Sequence, residues 1–294
     1  MGVKIKWQNT LHMPLITCFS YIIIRNSTFL VIVLNSYPIL ELIGTDMKHK
    51  IINLKKSGIL IMAVFAMVTT LCARPLMAFA DGDDTYWPEG PQINAPCAVV
   101  MEVNTGTVLY EKNSHEKHYP ASITKILTTY LAILNCKMDE KVTFSKEESS
   151  DGSSSIKRDV GEEMTMEQTL YGVMLESANE CAYAAAEHRG KKLGGDYSTF
   201  IDLMNKEAKE LGCTDTHFNN ANGLPDENHW TSAYDMGLIS CAAYRNDEFR
   251  KITGTKTYII PPTNKHTEDT PLYNHHAMLH PFKSYSQFVN QDCT

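Results

Sequence analysis

The order of the predicted elements constrains the fold of this chain more than any other feature. Two short β-rich runs, Ala98–Val103 and Thr107–Tyr110, flank the turn residues Asn104–Gly106 and predict a β-hairpin. A series of helices follows, and Tyr258–Ile260, directly before two prolines, predicts a later strand. Helices inserted between strands indicate an α+β (mixed α/β) fold, with an antiparallel sheet and a helical cluster, rather than a βαβ repeat.

Hydrophobic spacing and capping residues predict the helices. Apolar residues from Ile123 to Leu134 recur in steps of three and one, as on one face of a helix. Thr165 and Gln168 form the sequence pattern of a capping box. A break is predicted at Glu176–Asn179. The predicted helices are 122–134, 165–175, 180–188, 197–211 and one capped by Ser232 and Asp235.

Charge and hydropathy exclude two function classes. The net charge of −7 hides a basic segment up to residue 80 and a markedly acidic remainder. An acidic body without clustered Lys and Arg repels phosphate backbones, so we expect no nucleic-acid partner. A mean hydropathy of −0.24 excludes a polytopic membrane protein.

A secretory leader is predicted at residues 47–80. Met47–Lys56 is basic, Gly58–Ala73 is apolar, and Ala78–Ala80 has the small residues of a cleavage site. We therefore expect an exported protein located in the periplasm or on the cell-wall side of the membrane. An uncleaved membrane anchor is the alternative.

The leader divides the rest of the chain. Residues 1–46 contain an apolar stretch, Phe29–Leu34, for which the sequence offers no partner, and we interpret them as an extension from a mis-set start codon. Residues 81–96 are rich in Asp, Gly and Pro and predict a linker. We expect residues 97–294 to form the folded domain.

Six cysteines follow the leader, but their spacing indicates neither a disulfide framework nor a zinc site. No Cys-x-x-Cys pair occurs, and the domain is larger than typical disulfide-stapled folds. We expect most of these cysteines to be small buried residues.

Ser122 and Lys125 form a candidate catalytic pair. They lie three residues apart at the start of the first predicted helix, on the side opposite its apolar stripe. A serine nucleophile needs a base, and a desolvated lysine has a lowered pKa and can serve as one. The same spacing also fits an ordinary solvated helix face.

Ser177 and Asn179 form a second candidate pair, in the break between two helices. A short turn there could direct both side chains into a cleft. The alternative is that one of them caps the following helix.

Together these motifs resemble the low-molecular-mass penicillin-binding proteins that are serine-type D-alanyl-D-alanine carboxypeptidases. The resemblance rests on Glu102–Tyr110, Tyr119–Lys125, Ser177–Asn179 and Asn219–Leu224, and extends from about Asp81 to about Phe282. It implies the fold shared by DD-peptidases and β-lactamases.

The resemblance also implies roles for the four candidate residues. Ser122 is the acylated nucleophile, Lys125 is its base, Ser177 relays a proton to the leaving D-alanine, and Asn179 orients the substrate amide. The implied substrate is the D-Ala-D-Ala end of a peptidoglycan stem peptide, with β-lactams as covalent inhibitors. No metal and no cofactor are implied.

Two departures from the family pattern affect these expectations. Glu180 stands where the family pattern has aspartate. The Lys-Thr-Gly motif is absent, because Lys256-Thr257 is followed by Tyr258, and we interpret these residues as a strand before Pro261. We therefore expect a catalytic domain that is truncated at its C-terminus, lacks its last strands and has impaired activity.

Three alternative functions remain at this point. A class A serine β-lactamase shares the first two motifs. A non-catalytic penicillin-binding remnant is compatible with the missing third motif. A metallopeptidase would use histidines such as His217, His229, His275, His276 and His280, but no His-Glu-x-x-His occurs, and we interpret these histidines as exposed.

Overall fold

The computed structural model describes residues 90–145, 154–276 and 279, and the backbone of residues 19–25 and 29–36. The chain divides into two compact units, residues 1–12 with 38–93 and residues 13–37 with 94–294. Every helix and strand given below lies in the second unit. The predicted leader and most of the predicted linker lie outside the described residues.

Four strands form the main sheet, in the order β1-β2-β3-β4. They are Phe19–Arg25, Phe29–Ser36, Cys97–Glu102 and Val108–Lys112. The pairs β1–β2 and β3–β4 are antiparallel, whereas β2–β3 is parallel. The predicted hairpin is therefore confirmed, but the sheet is not purely antiparallel.

The expectation that Phe29–Leu34 has no partner was wrong. Each of its residues pairs with a residue of β3, from Phe29 opposite Cys97 to Leu34 opposite Glu102. A strand edge carries unpaired N–H and C=O groups, and a run rich in Val, Ile and Leu forms the complementary strand readily. The edge of β3 that faces away from β4 is consequently covered.

The remaining elements are six helices and two small antiparallel sheets. A 3₁₀ turn, Ala121–Thr124, leads directly into α1. The helices are α1 Lys125–Asn135, α2 Met166–Leu175, α3 Asn179–Lys192, α4 Tyr197–Glu210, α5 Ala233–Tyr244 and α6 Asp247–Gly254. The sheets pair β5 Lys141–Thr143 with β6 Glu163–Thr165, and β7 Thr257–Ile260 with β8 Thr270–Tyr273.

The predicted α+β class and the predicted helix starts are confirmed. The Thr165 side chain accepts from Gln168 N–H in a complete capping box, and the Ser232 side chain accepts from Asp235 N–H. The sequence analysis did not predict β1 or β2, and it missed α6, β5, β6 and β8 because such short elements carry too little periodicity. Among the described residues, no helix has the length and apolar content needed to cross a membrane.

Helix α1 lies between two apolar clusters. Leu127 and Leu131 pack in a cluster with β3, α4 and α5, whereas Ala132 belongs to a second cluster with α2 and α3. The helix is therefore buried on most of its circumference. The sequence places Lys125 on a polar face, but the structure buries this side chain to 2% exposure. The expectation of one buried face was too narrow because neighbouring helices cover this side as well.

The cysteines within the described residues are all free thiols. Cys97, Cys181 and Cys241 are buried, and Cys136 and Cys213 are half-buried. For these five residues the prediction of small, mostly buried side chains is confirmed.

A buried ion pair holds the segment before β6. Arg158 donates from Nη1 to Glu162 Oε1 at 2.8 Å, and the two side chains are 2% and 0% exposed. Arg158 also donates to Thr270 Oγ1 at 2.8 Å, and Glu162 accepts from Thr263 Oγ1 at 2.8 Å. The pair therefore joins this segment to the β7–β8 region.

We predict that Arg158→Met lowers the free energy of unfolding by about 3–5 kcal/mol, because it leaves a buried carboxylate unpaired. The measurement is urea unfolding at neutral pH. Lys141→Met is the control, since it removes an exposed pair with Glu163 whose contribution is about 0–1 kcal/mol. Equal losses for both variants would contradict the prediction.

Candidate active site

The Lys125 side chain is the centre of the site. Its Nζ lies 3.1 Å from Ser122 Oγ, 2.8 Å from Asn179 Oδ1 and 2.7 Å from the carbonyl oxygen of Asn222. The structure thus brings together three of the four residues predicted from the sequence. The Asn222 carbonyl also contacts Nζ, and the sequence analysis gave it no role.

The 3₁₀ turn before α1 sets the geometry between Ser122 and Lys125. Residues three apart on a 3₁₀ turn lie on the same side, which directs both side chains to one point. Ser122 is exposed, whereas Lys125 is buried. The nucleophile therefore faces solvent while its neighbouring amine is shielded from it.

Asn179 is supplied by the start of α3. Its backbone N–H donates to Ser154 O at 2.9 Å, and its side chain is 4% exposed. The N-cap of α3 is Ala178, and no side chain caps this helix end. The alternative that Ser177 or Asn179 acts as the helix cap is therefore wrong.

Ser177 adopts a strained backbone conformation next to this helix. Its φ of 57° lies in the left-handed region that non-glycine residues rarely enter. Its Oγ is buried and has no hydrogen-bond partner among the described residues. The structure does not join Ser177 to Lys125 by a direct hydrogen bond, and its role in proton relay remains a prediction.

The loop of residues 219–224, called here the Asn loop, brings the Asn222 carbonyl to Lys125. Gly223 has a φ of 84°, and a Cβ added there would lie 1.8 Å from the Ala121 carbonyl oxygen. Only glycine fits this close approach to the 3₁₀ turn that contains Ser122. The Asn-Gly dipeptide was the available sequence signal, because it marks a turn, but it does not show what the turn contacts.

Burial sets the protonation of Lys125. Desolvation lowers the pKa of the Lys125 ammonium from 10.5 to about 7, against the opposing effects of Glu180 and Cys181. The predicted desolvation is therefore confirmed. A substantial fraction of the side chain is neutral at pH 7.

Glu180, the departure from the family pattern, is buried close to this amine. Its Oε1 accepts from Ser155 Oγ at 2.8 Å and from Ile156 N–H at 2.7 Å. These two bonds hold the segment that precedes Arg158 against the start of α3. The longer side chain is accommodated in the buried space beside the site.

The three contacts of Nζ give the neutral amine a defined orientation. A neutral amine has two N–H bonds and one lone pair, and carbonyl oxygens can only accept. When the two N–H bonds point to Asn179 Oδ1 and Asn222 O, the lone pair is left for the Ser122 hydroxyl. The arrangement can therefore remove the proton of Ser122.

Metal-binding groups lie elsewhere among the described residues. Three clusters have suitable ligand spacing, namely Cys97 with Glu116 and His118, Cys136 with Glu140 and His188, and Asp159 with Glu162 and His266. None of them contains a residue of the Ser122 site.

Four of the histidines considered for a metallopeptidase have protein contacts, and His280 lies outside the described residues. His275 contacts Glu176 Oε2, and His217 contacts Asn228 O. His229 was expected to be exposed, but it is 1% exposed because it packs beneath the Asn loop.

Comparisons with known proteins identify the family of this chain. The family model for D-alanyl-D-alanine carboxypeptidase matches residues 84–284. The D-alanyl-D-alanine carboxypeptidase DacF of Bacillus subtilis (strain 168) is 40% identical over 177 residues, which cover 58% of this chain and 44% of the relative. DacA of Escherichia coli (strain K12) is 32% identical over 201 residues, which cover 63% of this chain and 49% of the relative.

The solved structure of the Streptomyces K15 DD-transpeptidase is also similar. It aligns with a TM-score of 0.60 at 30% identity, over 66% of this chain and 79% of that chain. The chain spans about half the length of the curated relatives DacF and DacA. The family model nevertheless covers more than half of the chain and includes every residue of the site. The chain belongs to the D-alanyl-D-alanine carboxypeptidase family.

Proposed function

We propose that this chain removes the terminal D-alanine from peptidoglycan stem peptides by acyl transfer through Ser122. The observation that carries the proposal is the buried Lys125 Nζ, held between Ser122, Asn179 and Asn222. A neutral amine beside an exposed serine is the arrangement that nucleophilic catalysis requires. Membership of the family supplies the substrate class.

Acylation begins with proton transfer from Ser122 Oγ to the lone pair of Lys125 Nζ. The Oγ atom then forms a bond to the carbonyl carbon of the penultimate D-alanine. The bond from that carbon to the nitrogen of the terminal D-alanine breaks, and the leaving nitrogen takes up a proton. In this proposal Ser177 passes that proton from Lys125, which becomes neutral again, and this role fits the buried Ser177 hydroxyl, which has no partner among the described residues.

Water completes the reaction by hydrolysing the ester on Ser122. The water gives a proton to Lys125 and its oxygen to the acyl carbon, and the serine recovers its hydrogen. Asn179 has two tasks in this scheme. Its Oδ1 orients Lys125 at 2.8 Å, and its side-chain N–H bonds are available to the substrate amide.

The proposal includes an extracytoplasmic location. Peptidoglycan lies outside the cytoplasmic membrane, and the predicted leader at residues 47–80 would deliver the enzyme there. N-terminal sequencing of the exported product tests this part, with Asp81 as the expected first residue.

We predict that Ser122→Ala abolishes covalent labelling by a fluorescent penicillin, because the variant lacks the attacking oxygen. The labelled peptide of the wild-type chain, mapped by mass spectrometry, should contain Ser122. Ser198→Ala is a control that changes an exposed serine at the start of α4. An adduct on another residue would contradict the assignment.

A β-lactamase is separated from a carboxypeptidase by the fate of this adduct. We predict a long-lived penicillin adduct and D-alanine release from a D-Ala-D-Ala peptide, with little nitrocefin turnover. Rapid nitrocefin hydrolysis would favour the β-lactamase alternative. Failure of both labelling and D-alanine release would favour the non-catalytic alternative.

We predict that the acylation rate rises with pH and reaches half its maximum near pH 7, where Lys125 loses its proton. Below that pH the lysine is charged and cannot accept the proton of Ser122. Lys125→Met should lower the acylation rate by about 10²–10⁴-fold and abolish this pH dependence near neutrality. Lys206→Met, which changes an exposed lysine paired with Glu210, is the control. A pH-independent wild-type rate would contradict the role of Lys125.

Residues 1–294 contain no Lys-Thr-Gly. In the family pattern a backbone N–H just beyond that motif helps form the oxyanion hole, so we predict low turnover for a protein made of these residues alone. Lys256 and Thr257 lie at the start of β7, as interpreted from the sequence, and pair with β8 rather than with the main sheet. Losing one oxyanion-hole donor reduces rates by about 10²–10³-fold in other hydrolases. Fusing a Lys-Thr-Gly segment from a relative should raise D-alanine release. Equal turnover with and without it would show that the segment is dispensable.

A further inference from the structure

His229 connects the Asn loop to the 3₁₀ turn that contains Ser122 and Thr124. Its ring is buried against Phe218, with 5.5 Å between the ring centroids. Its Nε2 lies 2.8 Å from Thr124 Oγ1, and its Nδ1 accepts from the backbone N–H groups of Asn219 and Asn220 at 3.0 and 3.3 Å. The His229 side chain therefore contacts both the 3₁₀ turn before Lys125 and the Asn loop.

These bonds define the state of the ring. Because Nδ1 accepts from two backbone amides, the ring proton lies on Nε2, which donates to Thr124 Oγ1. Burial lowers the pKa of His229 to about 4, opposed by Asp226 and assisted by His217. The ring is thus neutral at any pH at which Lys125 titrates.

The Asn loop and His229 contact the end of the 3₁₀ turn and the first turn of α1. Thr124 contacts His229, Lys125 donates to Asn222 O at 2.7 Å, and Thr128 Oγ1 donates to Ala221 O at 2.7 Å. The two carbonyl groups belong to neighbouring residues of the loop. A shift of the loop would therefore move the Asn222 carbonyl away from Nζ.

We propose that His229 is a positioning residue, which holds the Asn loop against Thr124 and so keeps the Asn222 carbonyl on Lys125 Nζ. Nothing in its geometry places it in contact with the reacting atoms. It acts by directing one N–H bond of the neutral amine away from Ser122, so that the lone pair remains for the serine proton. This inference rests on the proposed function of Lys125 as the base.

The proposal predicts that the pKa of Lys125 changes when the Asn loop is displaced. The groups that act on Lys125 are Glu180 and Cys181 from α3, together with the burial supplied by the Asn loop. A displaced loop admits water, which favours the charged amine. The pKa of Lys125 should then rise from about 7 toward its ordinary 10.5.

Two substitutions at His229 separate its two bonds. Asn places an acceptor near the position of Nδ1 and can keep the bonds from the loop amides, whereas Gln places its amide near Nε2 and leaves those amides without an acceptor. His217→Asn is the matched control, because it changes a nearby half-buried histidine whose ring contacts Asn228 O and Trp230 rather than Thr124. Thr124→Val is a second variant, which removes the hydroxyl that contacts His229 Nε2 without changing the histidine.

The experiment measures the acylation rate constant for fluorescent penicillin against pH, and the titration of Lys125 by NMR of the side chain. We expect His229→Gln to lower the rate by about 10²-fold, as for a slightly misplaced catalytic group, with noncovalent affinity retained. Its acidic limb and its Lys125 titration should both move to higher pH. His229→Asn should recover most of the wild-type behaviour, and His217→Asn should match wild type.

Two results would overturn the proposal. One is a folded His229→Gln protein with the wild-type Lys125 titration. The other is an equal defect in both His229 variants with an unchanged Lys125 titration, which indicates packing alone. If His229→Gln does not fold, Thr124→Val is judged by the same criteria. The NMR titration needs no turnover, so it decides this inference even if Ser122 is not acylated and the proposed function fails.

Discussion

The burial of one amine determines how the parts of this protein are arranged. A lysine nitrogen taken out of water needs hydrogen-bond acceptors, and it loses its proton more easily than an exposed lysine. At Lys125 the hydrogen-bond partners come from the 3₁₀ turn that contains Ser122, from the start of α3 and from the Asn loop. Three separate stretches of the chain must therefore converge on one atom.

The apolar packing explains how this convergence is maintained. Helix α1 contributes Leu127 and Leu131 to one apolar cluster and Ala132 to the other, which fixes the helix in position and rotation. Its first residue is Lys125, so the same packing fixes the origin of the lysine side chain. Helix α3 belongs largely to the second cluster through its alanines and Cys181, which fixes Asn179 in the same way.

Three of the positive-φ residues in the described part of the chain lie around the same point. Ala121 and Ser177 both have positive φ values, and Gly223 makes the close approach to Ala121. Such conformations persist only where the surrounding structure holds them, and they occur often at functional sites. The buried Ser177 hydroxyl and the neutral His229 ring are further groups whose environment is set by the fold.

Much of the site could be predicted from the sequence because its signals are local. The spacing of Ser122 and Lys125, the break that contains Ser177 and Asn179, and the capping residues at Thr165 and Ser232 each involve neighbours within a few residues. Local backbone geometry makes such patterns readable. The α+β class followed from the order of the elements in the same way.

Tertiary structure alone decided the contacts between distant segments. Lys125 and Asn222 are 97 residues apart, and Thr124 and His229 are 105 residues apart. Residues 29–34 pair with residues of β3 that lie 68 positions later, as Phe29 does with Cys97 (97 − 29 = 68). The sequence by itself indicated candidate residues for the chemistry and the helices that hold them. It did not determine the burial that lowers the pKa of Lys125, or the loop that holds the amine, because burial and long-range hydrogen bonds depend on how separate elements pack.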